Sequence, residues 1–79
     1  INSYEIPYYS YSSILSDLHA GIINKDKVNK YFDDNFITNL EYRNMQGKDG
    51  LTFTTYLPKN EEIELREKYK KAIKEFLKQ

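Results

Sequence analysis

The spacing of apolar residues divides the chain into four stretches. Ile14, Leu15 and Leu18 stand at i, i+1 and i+4, the stripe of an amphipathic helix. Ser10 or Ser12 can cap its start and Gly21 stands where a left-handed residue ends a helix, so this pattern predicts a short helix over about 12–20. The first ten residues have no clean period, and Pro7 biases Ile6 toward extended backbone. Val28, Tyr31 and Phe32 have helical spacing, but Asp33-Asp34-Asn35 behind them reads as a turn between strands. The turn tips the reading of 24–35 toward an extra strand near 28–32.

From Phe36 the period becomes two. Phe36, Thr38, Leu40 and Tyr42 share one face, and Leu51, Phe53, Thr55 and Leu57 alternate again beyond the turn-rich run Gln46-Gly47-Lys48-Asp49-Gly50. Two alternating runs joined in this way predict an antiparallel hairpin over about 36–57. Pro58 ends it, because proline cannot extend a ladder. Asn60 then reads as an N-cap, with Glu61, Glu62 and Glu64 in the first turn where the helix dipole favours anions. Leu65, Tyr69, Ala72, Ile73 and Phe76 form a stripe behind it. A longer helix over about 60–78 follows, supported by Glu62–Arg66, Glu64–Lys68 and Glu67–Lys71 in the favoured acid-first order. The expected architecture is a single small α+β domain over 1–79, with a small antiparallel sheet packed by a short N-terminal and a longer C-terminal helix.

Composition narrows the chemistry. The 79 residues include no Cys and one His, so there is no disulfide and no thiolate metal site. Twelve basic and twelve acidic side chains cancel, which argues against a dedicated nucleic-acid binder. No apolar run approaches the ~18 residues a membrane span needs, and no signal peptide is visible. The start at Ile1 is the expectation for a piece excised from a longer protein. Neutrality conceals a gradient. Residues 1–24 hold no Lys or Arg, whereas six of the twelve basic residues lie in the last 14.

Each candidate for chemistry has a plainer competitor. His19 as a general base lacks a Cys or second His to work with, and reads as a solvated helix residue. Asp33-Asp34 lacks the alternating oxygen spacing of a calcium loop and reads as a turn. Glu61, Glu62 and Glu64 are accounted for by the helix dipole. The C-terminal lysines interleave with Glu as on a solvated face. The Gly47–Gly50 loop lacks the GK[ST] ending of a phosphate-binding loop. No catalytic, cofactor-binding or metal residues are assigned. The feature with functional weight is Tyr4, Tyr8, Tyr9 and Tyr11, four aromatics in eight residues with no cation among them. Tyrosine is rigid, amphipathic and enriched at protein interfaces and at the membrane headgroup level. These four form the candidate interaction surface, against the alternative that they cover the domain's own core.

The run Tyr11-Ser12-Ser13-Ile14-Leu15-Ser16-Asp17-Leu18-His19-Ala20-Gly21-Ile22-Ile23 resembles the opening of the extramembrane domain of FtsH-type membrane-anchored AAA+ zinc metalloproteases. The run Gly50-Leu51-Thr52-Phe53-Thr54-Thr55-Tyr56-Leu57-Pro58 is similar to that family's strand ending in Thr-Thr-Tyr-hydrophobic-Pro. The resemblance spans roughly residues 6–77, with about 22 specific matches. Asn24–Asn35 is longer than the family pattern, and the final helix is longer and more charged. The resemblance implies a non-catalytic α+β domain on the extracytoplasmic side of a membrane (the periplasm, the cell exterior or the mitochondrial intermembrane space). Such a domain aids hexameric assembly and contact with membrane substrates or regulators. It implies no cofactor in this segment, ATP and zinc being used elsewhere in the parent. The alternative is a free-standing interaction module, such as a phage- or plasmid-encoded inhibitor or immunity protein.

Overall fold

The computed structural model describes residues 4–47 and 57–79. They form four helices: α1 (Tyr8–His19), α2 (Lys25–Tyr31), α3 (Asn39–Gln46) and α4 (Lys59–Leu77). Among the described residues there is no sheet, and extended pairing is confined to one antiparallel bridge, Glu5 to Thr38. The expected α+β class is therefore corrected to an all-helical fold. The two terminal helices are present, the first starting at Tyr8 rather than 12 and the second running from Lys59 to Leu77 rather than over 60–78. The first half of the expected hairpin is helix α3, and the possible strand near 28–32 falls in α2 and its C-cap. The second half of the hairpin, at 51–56, lies outside the described residues.

Helix wins over alternation at 36–46 because of a cap. The Thr38 hydroxyl accepts the Glu41 N–H at 3.3 Å, while the Glu41 carboxylate accepts the Thr38 N–H at 2.9 Å. This capping box satisfies donors that a helix start otherwise leaves orphaned. The buried positions are then Asn39, Tyr42 and Met45, three apart, and Leu40 from the alternating set is 44% exposed. Gly47 closes the helix at φ 72°, a left-handed conformation that costs glycine little. At 24–32 the decisive cap is Asn24, whose side chain accepts the Asp26 N–H at 2.7 Å. The expected turn at Asp33-Asp34-Asn35 exists, with Asn35 left-handed at φ 67°, but it joins two helices rather than two strands.

Helix α1 has no side-chain cap of its own and no acid in its first turn. Instead Glu62 of α4 accepts the Tyr8 N–H at 2.9 Å, supplying the carboxylate that the helix N-terminus favours. Helix α1 packs chiefly on α4, and α2 on α3. The buried core comprises Ile6, Tyr11, Ile14, Leu18, Val28, Phe32, Ile37, Tyr42, Met45 and Ile73. All four helices and the segment before α1 contribute to it.

Under this core lies a chain of polar contacts. The Tyr11 hydroxyl donates to Glu5 at 2.7 Å and accepts the Ile37 N–H at 2.8 Å. Glu5 also accepts from Lys70 at 2.9 Å and Arg66 at 3.2 Å. Arg66 reaches Glu62 at 3.0 Å and Lys70 reaches Glu67 at 2.9 Å. Of the three ion pairs expected along α4, Glu62–Arg66 is therefore present, and Glu67 pairs with Lys70. Burial drives the Tyr11 pKa far above the ordinary tyrosine range; the Ile37 N–H opposes the rise and the Glu5 carboxylate adds to it. For Lys70, burial pulls the pKa down, but Glu5 and Glu67 outweigh it and the net shift is upward.

Both groups hold their protons more tightly folded than unfolded, so their contribution to stability is complete below their unfolded values of about 10. It is lost as the pH rises beyond them, because the unfolded chain releases protons that the folded chain keeps. Urea midpoints should fall steeply above the ordinary tyrosine range, and less steeply for Tyr11→Phe. At neutral pH, Tyr11→Phe strips the buried Ile37 N–H of its acceptor and should cost about 1–3 kcal/mol. Thr38→Ala removes the α3 cap and should cost about 0.5–2 kcal/mol, read from the same urea titrations.

Candidate interaction surface

The four tyrosines of the expected surface occupy different environments. Tyr11 is fully buried. Tyr8 and Tyr9 are partly buried; their rings meet edge to face at 5.6 Å, and Tyr8 stacks on Tyr69 of α4 at 6.5 Å. Tyr4 stands out at 62% exposure. Its carbonyl accepts the Asn39 N–H at 2.8 Å, so its backbone lies beside the first residue of α3. The fold thus takes Tyr11 for the core, engages Tyr8 at the α1–α4 contact, and leaves Tyr4 as the aromatic of the four that most faces solvent.

The sites that carried weaker expectations have structural roles or remain solvated. His19 is exposed, with its ring edge-on to Phe76 at 4.6 Å. Asp33 and Asp34 are exposed in the α2–α3 turn, and Glu61 and Glu64 are exposed in the first turns of α4. Glu62 caps α1 and holds Arg66. Among the described residues no three His, Cys, Asp or Glu side chains group as a metal would require. None of the described helices is long and apolar enough to cross a membrane.

A different surface forms where α1 ends. The Ile22 N–H donates to the Asp17 carbonyl at 2.9 Å and the Gly21 N–H to the Leu18 carbonyl at 3.2 Å. With Gly21 at φ 74° these bonds are a Schellman motif. In that motif the residue after the glycine, here Ile22, commonly packs back on the third or fourth residue from the helix end. Here those positions are Asp17 and Ser16, both polar, and Ile22 is left 75% exposed. Beside it, Asp17, Ile22, Ile23, Met45 and Gln46 line a cleft of about 360 Å³. The Gln46 amide donates to the Asp17 carboxylate across this cleft, tying α3 to α1.

Periodicity missed this surface because Ile22 lies beyond the α1 stripe. The signal was nonetheless present. Once Gly21 is read as the left-handed terminator, Ile22 is the residue that the motif commonly tucks in, and the positions it would meet are the polar Ser16 and Asp17. A second depression, of about 550 Å³, is lined by Leu57, Glu61, Glu64, Leu65 and Lys68 at the start of α4. No protein-family model, no curated protein and no solved structure matches the chain.

Proposed function

We propose that this chain is a protein-interaction domain that docks through the surface around Ile22. The observation that carries the reading is an isoleucine held 75% exposed on a hydrogen-bonded turn, at a cleft whose lining combines Ile23 and Met45 with the polar Asp17 and Gln46. Singly exposed apolar side chains are ordinary. This one stands in a motif that normally covers it, on backbone fixed by two bonds, and next to partly and fully buried apolar neighbours in Ile23 and Met45. A rigid aliphatic anchor costs little conformational entropy when a partner covers it. Tyr4 and Leu40, 62% and 44% exposed, offer further contact area of the kind interfaces favour.

An FtsH-type extramembrane domain would be a special case of this reading. Its support is the run at 11–23, which builds α1 and the Schellman turn, and the run at 50–58, of which 50–56 lies outside the described residues. The α+β fold implied by that resemblance is not the one the described residues adopt. An open reading frame continuing into a membrane span and an AAA+ module would favour that special case, and a stop codon the free-standing module.

The interaction reading is tested by placing a photo-crosslinking amino acid at position 22 in cells that produce the chain, with position 71 on the exposed side of α4 as control. A discrete adduct from position 22 and none from position 71 is the expected result. Equal labelling from both positions, or none from either, would withdraw the reading.

A further inference from the structure

Asp17 breaks two local rules at one place. It is an acid in the last turn of α1, where the carbonyl end of the dipole disfavours negative charge. It also holds the position against which the Schellman motif normally packs its apolar residue. Its partner is the neutral Gln46 amide, and among the described residues no lysine, arginine or histidine forms an ion pair with it. Residues 1–24 contain no Lys or Arg to compensate it from its own stretch of chain. Within the fold, its side chain gains a single hydrogen bond to α3 for this placement. Local conflicts of this kind concentrate at functional positions.

Taking the interaction role of this surface as its basis, we infer that the cleft at the end of α1 binds a segment of another protein that pairs a Lys or Arg with an aliphatic side chain. The aliphatic group packs against Ile22, Ile23 and Met45, and the cation meets the Asp17 carboxylate at the same cleft. Charge complementarity selects this occupant. Among the described residues the cleft offers a carboxylate whose partner is a neutral amide, and its described lining holds no basic side chain, so an acidic segment would meet a like charge there.

The test uses two amphipathic helical peptides with identical leucine positions, one with lysine and the other with glutamate at every polar site, titrated into the 79-residue chain and followed by amide chemical shifts. The lysine peptide should perturb Asp17, Ile22, Ile23 and Met45, weakening with added salt, and the glutamate peptide should not. Asp17→Asn should reduce affinity about fivefold, as expected for one surface ion pair. Ile22→Ser should reduce it further while leaving the Asp17–Gln46 contact and the helical spectrum in place. Equal binding of both peptides at these residues, or lysine-peptide binding indifferent to Asp17→Asn, overturns the charge assignment while leaving an apolar docking surface. Lysine-peptide shifts centred elsewhere, or none, overturn the inference outright, and the crosslink from position 22 reports separately on whether the surface is used. Concentration-dependent dimerisation of the chain that Ile22→Ser abolishes would assign the cleft to a second copy and overturn the proposed partner.

Discussion

The folded arrangement depends on the buried hydroxyl of Tyr11. It is a point where three pieces of chain meet: it is part of α1, it donates to Glu5 before that helix, and it receives the Ile37 amide between α2 and α3. Glu5 passes the connection to α4 through Arg66 and Lys70. Among the described residues, ten buried apolar side chains supply non-directional cohesion. Burial alone would allow the helices to slide, and the polar chain fixes their register. The arrangement has a cost, since each charged partner surrenders water. It is tolerable because Glu5, Arg66 and Lys70 keep some exposure, with side chains 22%, 24% and 11% accessible.

The sequence was informative where a stripe and a terminator agreed. Ile14, Leu15 and Leu18 ahead of Gly21 identified α1, and the charge order from Glu61 to Lys78 identified α4. It misled where a two-residue period ran through a helix. Phe36, Thr38, Leu40 and Tyr42 alternate, but Thr38 is a cap, Leu40 faces outward and Phe36 is only partly buried, so of the four Tyr42 alone joins the buried core. The spacing Thr38-x-x-Glu41 was the stronger local signal, because it satisfies backbone donors directly, whereas alternation only permits a strand. Near 24–32 the Asn24 cap likewise outweighed the turn-like Asp33-Asp34-Asn35.

The tyrosine cluster shows what composition leaves open. Four aromatics in eight residues stand out in the sequence, but the fold distributes them by depth, from Tyr11 with no exposure to Tyr4 at 62%. Helical geometry separates Tyr8 and Tyr11 from Tyr9, and Pro7 divides all three from Tyr4. Ile22 had no such compositional prominence. It stands 75% exposed on the Schellman turn, whose usual packing positions are held by the polar Ser16 and Asp17.

The Glu62 carboxylate at the start of α1 ties the order of events in folding to the topology. The first helix of the chain lacks a cap until a residue 54 positions later arrives to provide it. Before α4 forms, α1 therefore lacks the acceptor for its Tyr8 amide and its α4-facing side is bare, although its Ser10 and Tyr11 amides reach the Pro7 carbonyl. The closing step is long-range, with the loop-closure entropy that such a step entails. Formation of α4 both covers the apolar face of α1 and caps its end, so the two termini consolidate together rather than in sequence.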